Sequence, residues 1–261
     1  MAAQRYIFNT AEAGEHRRLL EQAQVWDRLT FRRLGEIGVG EGWRCLEVGA
    51  GSGTVVRWLA DRVGPTGHVV ATDLETTWLR AIEASNVEVR EHEISTGSLG
   101  DSVYDLINLR LVLVHQPDEQ AVLDKLVKAL VPGGSLLVEE YDMRTLPACS
   151  PPDDTWRSVG GASVEFLEKS GLDAHLGIRL PGLLETAGLV DVDAEAVGFP
   201  RRIPEIPAWR TQIVEIREPL IATGLVTPEQ IDEVIAGFDD ESCRLVVHGP
   251  TMVSVRGRKP A

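Results

Sequence analysis

The sequence predicts an α/β chain: a doubly wound, mostly parallel sheet of seven strands, with a helical cap before it and helical insertions after it. From Trp43 onward, short apolar runs alternate with amphipathic stretches, the rhythm of consecutive βαβ units. Right-handed crossovers between such units put helices on both faces of one sheet. The first apolar run also meets its helix through a glycine-rich turn, Gly49-Ala50-Gly51-Ser52-Gly53. Ligands of doubly wound sheets lie beyond the carboxyl ends of the strands, where that turn falls.

Before the sheet, Leu19, Leu20, Ala23, Trp26, Leu29, Leu34 and Ile37 recur at helical spacing. One or two amphipathic helices over 10–37 follow, ending ahead of Gly38. They make an N-terminal helical cap, residues 1–40, whose apolar faces serve either the domain itself or a homodimer. Strands are expected at 44–48, 68–72, 87–91, 104–109 and 135–139, and helices at 54–63, 76–85 and 119–130, the last closed by Pro132-Gly133-Gly134. Past Asp142 the rhythm loosens. Helices are expected at 155–169, 181–187, 208–221 and 228–236, and the last two strands at 190–197 and 251–256. The stretches 143–178 and 200–248 exceed what simple connections need. They read as lid insertions within a domain spanning 41–261.

Composition narrows the partners. With 43% hydrophobic and 25% charged residues among 261, the chain has globular proportions. Forty acidic against 26 basic side chains leave a net charge of −14, which repels phosphate backbones and anionic lipid. The doublets Arg17-Arg18, Arg32-Arg33 and Arg201-Arg202 are dispersed among acids, so no nucleic acid is expected as a partner. Cys45, Cys149 and Cys243 are odd in number and lack CxxC spacing, against a disulfide framework or a cysteine zinc site. Met1–Phe8 has no signal-peptide pattern, and no apolar run reaches the length of a membrane span. A cytoplasmic chain with no membrane partner is expected.

The glycine turn lets the backbone approach a ligand without a Cβ clash, and the helix starting near Thr54 aims unpaired N–H groups at the same space. A carboxylate or phosphate is the expected occupant; a purely structural turn is the competing reading. The next strand ends in Asp73, twenty positions after Gly53. A carboxylate there can accept from both hydroxyls of a ribose, or it can cap the helix expected over 76–85. A dinucleotide fingerprint wants its third small residue at Thr54, whereas the third glycine is Gly53. Pyrophosphate is thus the poorer fit.

Glu47-Val48-Gly49-Ala50-Gly51-Ser52-Gly53 resembles the first motif of the class I S-adenosylmethionine-dependent methyltransferases. The resemblance continues through Asp73, through Tyr104-Asp105-Leu106-Ile107, and through Leu130-Val131-Pro132-Gly133-Gly134-Ser135-Leu136, spanning about residues 40–142 in order and spacing. It implies a Rossmann-like methyltransferase fold with S-adenosyl-L-methionine as cofactor. By that resemblance Gly49, Ala50, Gly51 and Gly53 line the methionine moiety, and Glu47 orders the loop or meets the ammonium group. Asp73 holds the ribose and Leu74 packs on the adenine. Glu93, with the Ile94 N–H beside it, meets the adenine amino group, and Leu109 and Arg110 face the sulfonium.

The family's Asn/Asp-Pro-Pro-aromatic signature for amino methylation of nucleic acids is replaced by Asn108-Leu109-Arg110-Leu111. That points to a small organic acceptor at O, N or C. Asp142 alone makes no hard-cation site, so no metal is expected. An in-line displacement from an activated sulfonium needs alignment and water exclusion, and a general base where the acceptor carries a proton. His115, just past the fourth strand, is the candidate, with a packing role as the alternative. Glu139, Glu140 and Tyr141 end the fifth strand on the same side. Tyr6 and Phe8 are candidates to fold over the cofactor, and Trp156, Phe166 and Trp209 to line the acceptor pocket, unless they are core aromatics. A fold of this kind also hosts enzymes that bind the sulfonium without transferring its methyl group, such as cyclases. A nicotinamide oxidoreductase is a more distant reading.

Overall fold

Aliphatic runs closed by glycine or polar turns give the chain its element order in a computed structural model, which describes residues 13–261 (backbone only at 13–15 and Ala208). In sequence these are α1 (Ala13–Ile37), β1 (Arg44–Val48), α2 (Thr54–Val63), β2 (His68–Asp73), β3 (Val87–Glu91), β4 (Tyr104–Arg110), α3 (Glu119–Ala129) and β5 (Leu130–Asp142). There follow β6 (Cys149–Ser150), α4 (Asp154–Lys169), α5 (Leu176–Thr186), β7 (Val190–Val197), β8 (Arg201–Arg202), α6 (Pro207–Glu215), α7 (Arg217–Ala222), α8 (Pro228–Asp239), β9 (Val246–Val247) and β10 (Thr251–Arg258).

Seven strands form one sheet in the order β3-β2-β1-β4-β5-β10-β7. The pairs β3/β2, β2/β1, β1/β4 and β4/β5 are parallel. Strand order reverses between β1 and β4, so the crevice at that switch opens beside the turn that leaves β1. Strands covered on both faces need continuous apolar runs, and Cys45, Leu46, Val69, Val70, Ala71, Leu106 and Ile107 are all fully buried.

The chain divides into two compact units. Among the described residues, the first comprises 13–140, 177–195 and 253–261. In its core, Val55, Val56, Leu59 and Val63 of α2 pack against Val69 and Ala71 of β2, and Phe31 of α1 stacks on Trp58 of α2 with centroids 5.3 Å apart. The second unit comprises 141–176 and 196–252. Its core joins Trp156, Val159 and Ala162 of α4 to Ile231, Val234 and Phe238 of α8, and β6, β9 and β8 form a small antiparallel sheet within it.

Four expected elements differ. β5 starts at Leu130 rather than Ser135, so Pro132-Gly133-Gly134 lies inside the strand, at a break in its register with β4, instead of closing the helix before it. The helix over 76–85 is absent: only a 3-10 turn at Leu79–Ala81 forms, and Ile82 is already extended at φ −81, ψ 110. The Asn86 amide draws the chain away by donating to the carbonyls of Ala60 and Gly64 at the end of α2, both at 2.9 Å, and the β-branched pair Thr76-Thr77 resists helix. The helix over 208–221 is interrupted at Ile216, giving α6 and α7. α5 starts five residues before Pro181 and takes that proline into its second turn. No helix among the described residues is long and apolar enough to cross a membrane.

Candidate active site

The turn after β1 runs through Gly49, Gly51 and Gly53 at φ 66, 51 and 75, a region costing an L-residue about 1–2 kcal/mol. A Cβ at Gly49 would also lie 2.3 Å from Val112 Cγ2, whereas one at Gly51 would meet, among the described residues, nothing closer than Leu19 at 3.5 Å. The turn is held by Ala50 N–H donating to the Thr72 carbonyl at 3.0 Å and Gly53 N–H to that of Ala50 at 2.9 Å. α2 then starts with neither a side-chain cap nor an acid in its first turn. Its leading N–H groups are left for an anionic ligand.

Asp73, ending β2, joins this turn directly. Its Oδ2 accepts the Gly51 N–H at 2.8 Å and its Oδ1 the Glu75 N–H at 3.1 Å. Burial pushes the carboxyl above the usual range, against the pull of those N–H groups. The Leu74 N–H also draws on the carboxylate, so one of its four lone pairs stays open. With the 76–85 helix missing, Asp73 is not its cap. The His92 N–H donates to the Asp73 carbonyl at 2.9 Å, bringing the end of β3 alongside. Leu74 is 44% exposed, an open apolar side chain at the strand end. Ile94 is buried, and its carbonyl accepts from Lys125 Nζ at 2.6 Å. Glu93 is exposed, and one of its oxygens, Oε1, accepts from the Ser95 N–H at 3.0 Å and from Ser95 Oγ at 2.9 Å.

Beneath the turn, Glu47 is 2% exposed and accepts the Asn108 amide at 3.1 and 2.8 Å. Burial pushes its carboxyl up to about 8, with Asn108 and the Arg110 charge opposing. Arg110 spends its donors on α1, on Thr30 Oγ1 at 2.7 Å and on Asp27 at 2.9 Å. The Thr30 hydroxyl also meets Glu139, whose other oxygen accepts from Ser254 Oγ at 2.8 Å. Leu109 is fully buried, in register between Val48 and Val138, so only its backbone is offered to a ligand. His115 ends the 3-10 turn Leu113–His115 after β4 and is half-buried.

Sequence reasoning missed Asp27, Thr30 and Ser254. The only trace was a polar residue placed on an otherwise apolar helix face or strand. Trp156, Phe166 and Trp209 belong to the core of the second unit, and Tyr6 and Phe8 lie outside the described residues. Asp142 is engaged by Arg144 and His175. Among the described residues, no group of three His, Cys, Asp or Glu is placed to hold a metal ion.

A methyltransferase domain model matches residues 45–134, the stretch containing every residue singled out above from Glu47 to His115. The chain is 29% identical over 200 residues to methyltransferase str3 of Strobilurus tenacellus, covering 75% of this chain and 71% of that one. It is 28% identical over 141 residues to the ubiquinone/menaquinone biosynthesis C-methyltransferase UbiE of Ectopseudomonas mendocina, covering 51% and 54%. Phosphoethanolamine N-methyltransferase 2 of Haemonchus contortus, solved with S-adenosylhomocysteine and with S-adenosyl-L-methionine, superposes with a TM-score of 0.59 over 93% of this chain and 57% of that one. At 16% identity that likeness is one of fold. Motif, relatives and sheet order agree: the chain is a class I S-adenosylmethionine-dependent methyltransferase with a Rossmann-like fold and S-adenosylmethionine as its cofactor.

Proposed function

We propose that this enzyme methylates a small organic molecule, at O, N or C, by in-line displacement. The observation that carries the reading is the left-handed glycine turn, tied to Asp73 by the Gly51 N–H and opening on the uncapped start of α2. The residues fit the cofactor: the turn gives close backbone approach, no side chain among the described residues caps the start of α2, and the Asp73 carboxylate can accept again. In this assignment Gly49, Ala50, Gly51 and Gly53 hold the methionine end, and Glu47 steadies the turn from below. Asp73 accepts from the ribose hydroxyls. Leu74 packs on the adenine, with Glu93 and the Ile94 N–H at its amino group. The Leu109 backbone and Arg110 border the sulfonium end.

When bound, the cofactor supplies an electrophilic methyl group on a positively charged sulfur. The chain's own task is to align an acceptor with that methyl and exclude water. His115 takes the acceptor's proton where there is one. The named relatives support a small acceptor. UbiE is named for quinone biosynthesis at carbon, and the Haemonchus contortus enzyme was solved with phosphomonomethylethanolamine. They differ in acceptor atom, so O, N and C are all retained. The net charge of −14 argues against nucleic acid, and three free cysteines suit a reducing cytoplasm.

The test is S-adenosylhomocysteine formation across a panel of phenols, amines and activated carbon acids. Turnover with one class supports the reading, and turnover only with RNA or DNA would overturn it. His115→Gln should lower turnover about a hundredfold while S-adenosylhomocysteine affinity stays within about threefold of wild type.

A further inference from the structure

The loop leaving β4 is held by a group with no assigned role. Leu111 adopts φ 57, a region bulky side chains rarely enter. The next three N–H groups, of Val112, Leu113 and Val114, converge on one oxygen, Glu140 Oε1, at 2.9, 2.7 and 3.3 Å. Glu140 is on β5 and is 1% exposed. Val112, first of the three, fills the space that Gly49 leaves by lacking a Cβ. His115 closes the same turn. Backbone strain persists only where the surroundings over-determine it, and here one buried carboxyl takes three successive N–H groups while the Leu111 N–H donates to the Glu139 carbonyl at 2.9 Å.

We propose that Glu140 is a positioning residue: it fixes the 111–115 loop and, through Val112, seats the cofactor turn at Gly49. The carboxyl touches neither reacting group. It acts by making the loop's three N–H groups share one acceptor, which sets where Val112 presses. This rests on the reading of Gly49–Gly53 as the cofactor turn. A residue that merely filled space would contribute to stability without any coupling to Val112.

A double-mutant cycle on the full chain, read by calorimetric titration of S-adenosylhomocysteine, separates the two. Glu140→Leu removes the acceptor, Glu140→Gln keeps a carbonyl oxygen for the N–H groups, and Val112→Ala removes the contact with Gly49 while leaving the hydrogen bonds. Glu140→Leu and Val112→Ala should each weaken binding about tenfold, with the double variant no weaker than the worse single one. Glu140→Gln should stay within about threefold of wild type. Losses that multiply in the double variant overturn the proposal. So does Val112→Ala binding as tightly as wild type, which decides the matter even where Glu140→Leu does not fold. A wild-type chain that takes up no S-adenosylhomocysteine overturns the cofactor assignment first, and this proposal with it.

Discussion

Gly49 and Gly51 are the same residue in the same turn, required for different reasons. At Gly51 only the backbone objects to a side chain, so Gly51→Ala should cost about 1–2 kcal/mol, the penalty of the left-handed region. At Gly49 the new methyl would also overlap Val112 Cγ2, adding about 1–3 kcal/mol of overpacking. Urea unfolding should rank Gly49→Ala as the more damaging; the reverse order would mean Val112 yields freely. Glu47 supplies a prediction in pH. Its carboxyl sits at about 8 in the fold, against about 4.3 in an unfolded chain. The folded state therefore holds this proton more tightly. The stabilisation is complete below the unfolded value and is lost as pH rises through about 8. Glu47→Gln, which keeps an acceptor for Asn108, should flatten the decline of stability over that window by at most about 1.4 kcal/mol per pH unit. Melting curves across the window check it, and an unchanged slope would show that Glu47 is ionised throughout.

Elements were readable from the sequence wherever a period settled the matter, and the polar contacts that fasten them were not. β1, β3 and β7 and helix α2 fall where their apolar patterns put them. The 76–85 segment failed because its ten residues carry a helical pattern too short to resist Asn86, which the end of α2 holds through hydrogen bonds more than twenty residues away in sequence. α1 is the clearer case. Its spacing announces an apolar face, yet on that face Asp27 and Thr30 bind Arg110, and Arg33 reaches Asp193 at 2.7 Å. Period reports which face is buried and is blind to a partner about 80 or 160 positions on. The Asp27–Arg110 pair is only 18% and 12% exposed. Asp27→Leu should cost about 3 kcal/mol by stranding the guanidinium, and Asp27→Leu with Arg110→Met should recover most of it. Denaturant unfolding of the four members of the cycle measures this. A double variant as unstable as Asp27→Leu alone would show that Arg110 works through Thr30 instead.

For the molecule as a whole, chain order and spatial order diverge. The chain leaves the first unit at Tyr141, returns for 177–195, leaves again and re-enters at Val253. The second unit needs both excursions because neither holds a core alone: Trp156 comes from one and Phe238 from the other, with ring centroids 6.4 Å apart. The sequence marked both stretches as longer than connections. It did not pair them, because periodicity shows that a face is apolar and not which segment covers it. Every residue assigned to the cofactor lies in the first unit, and this division can be tested. Phe238 is 7% exposed, and Phe238→Ala should destabilise the protein by about 3–5 kcal/mol through the cavity it opens. S-adenosylhomocysteine affinity of the folded fraction, titrated well below the melting temperature, should stay within about twofold of wild type. A large loss of affinity would instead mean that the second unit's packing is energetically coupled to the glycine turn, and that the cofactor site draws on more of the chain than Glu47 to His115.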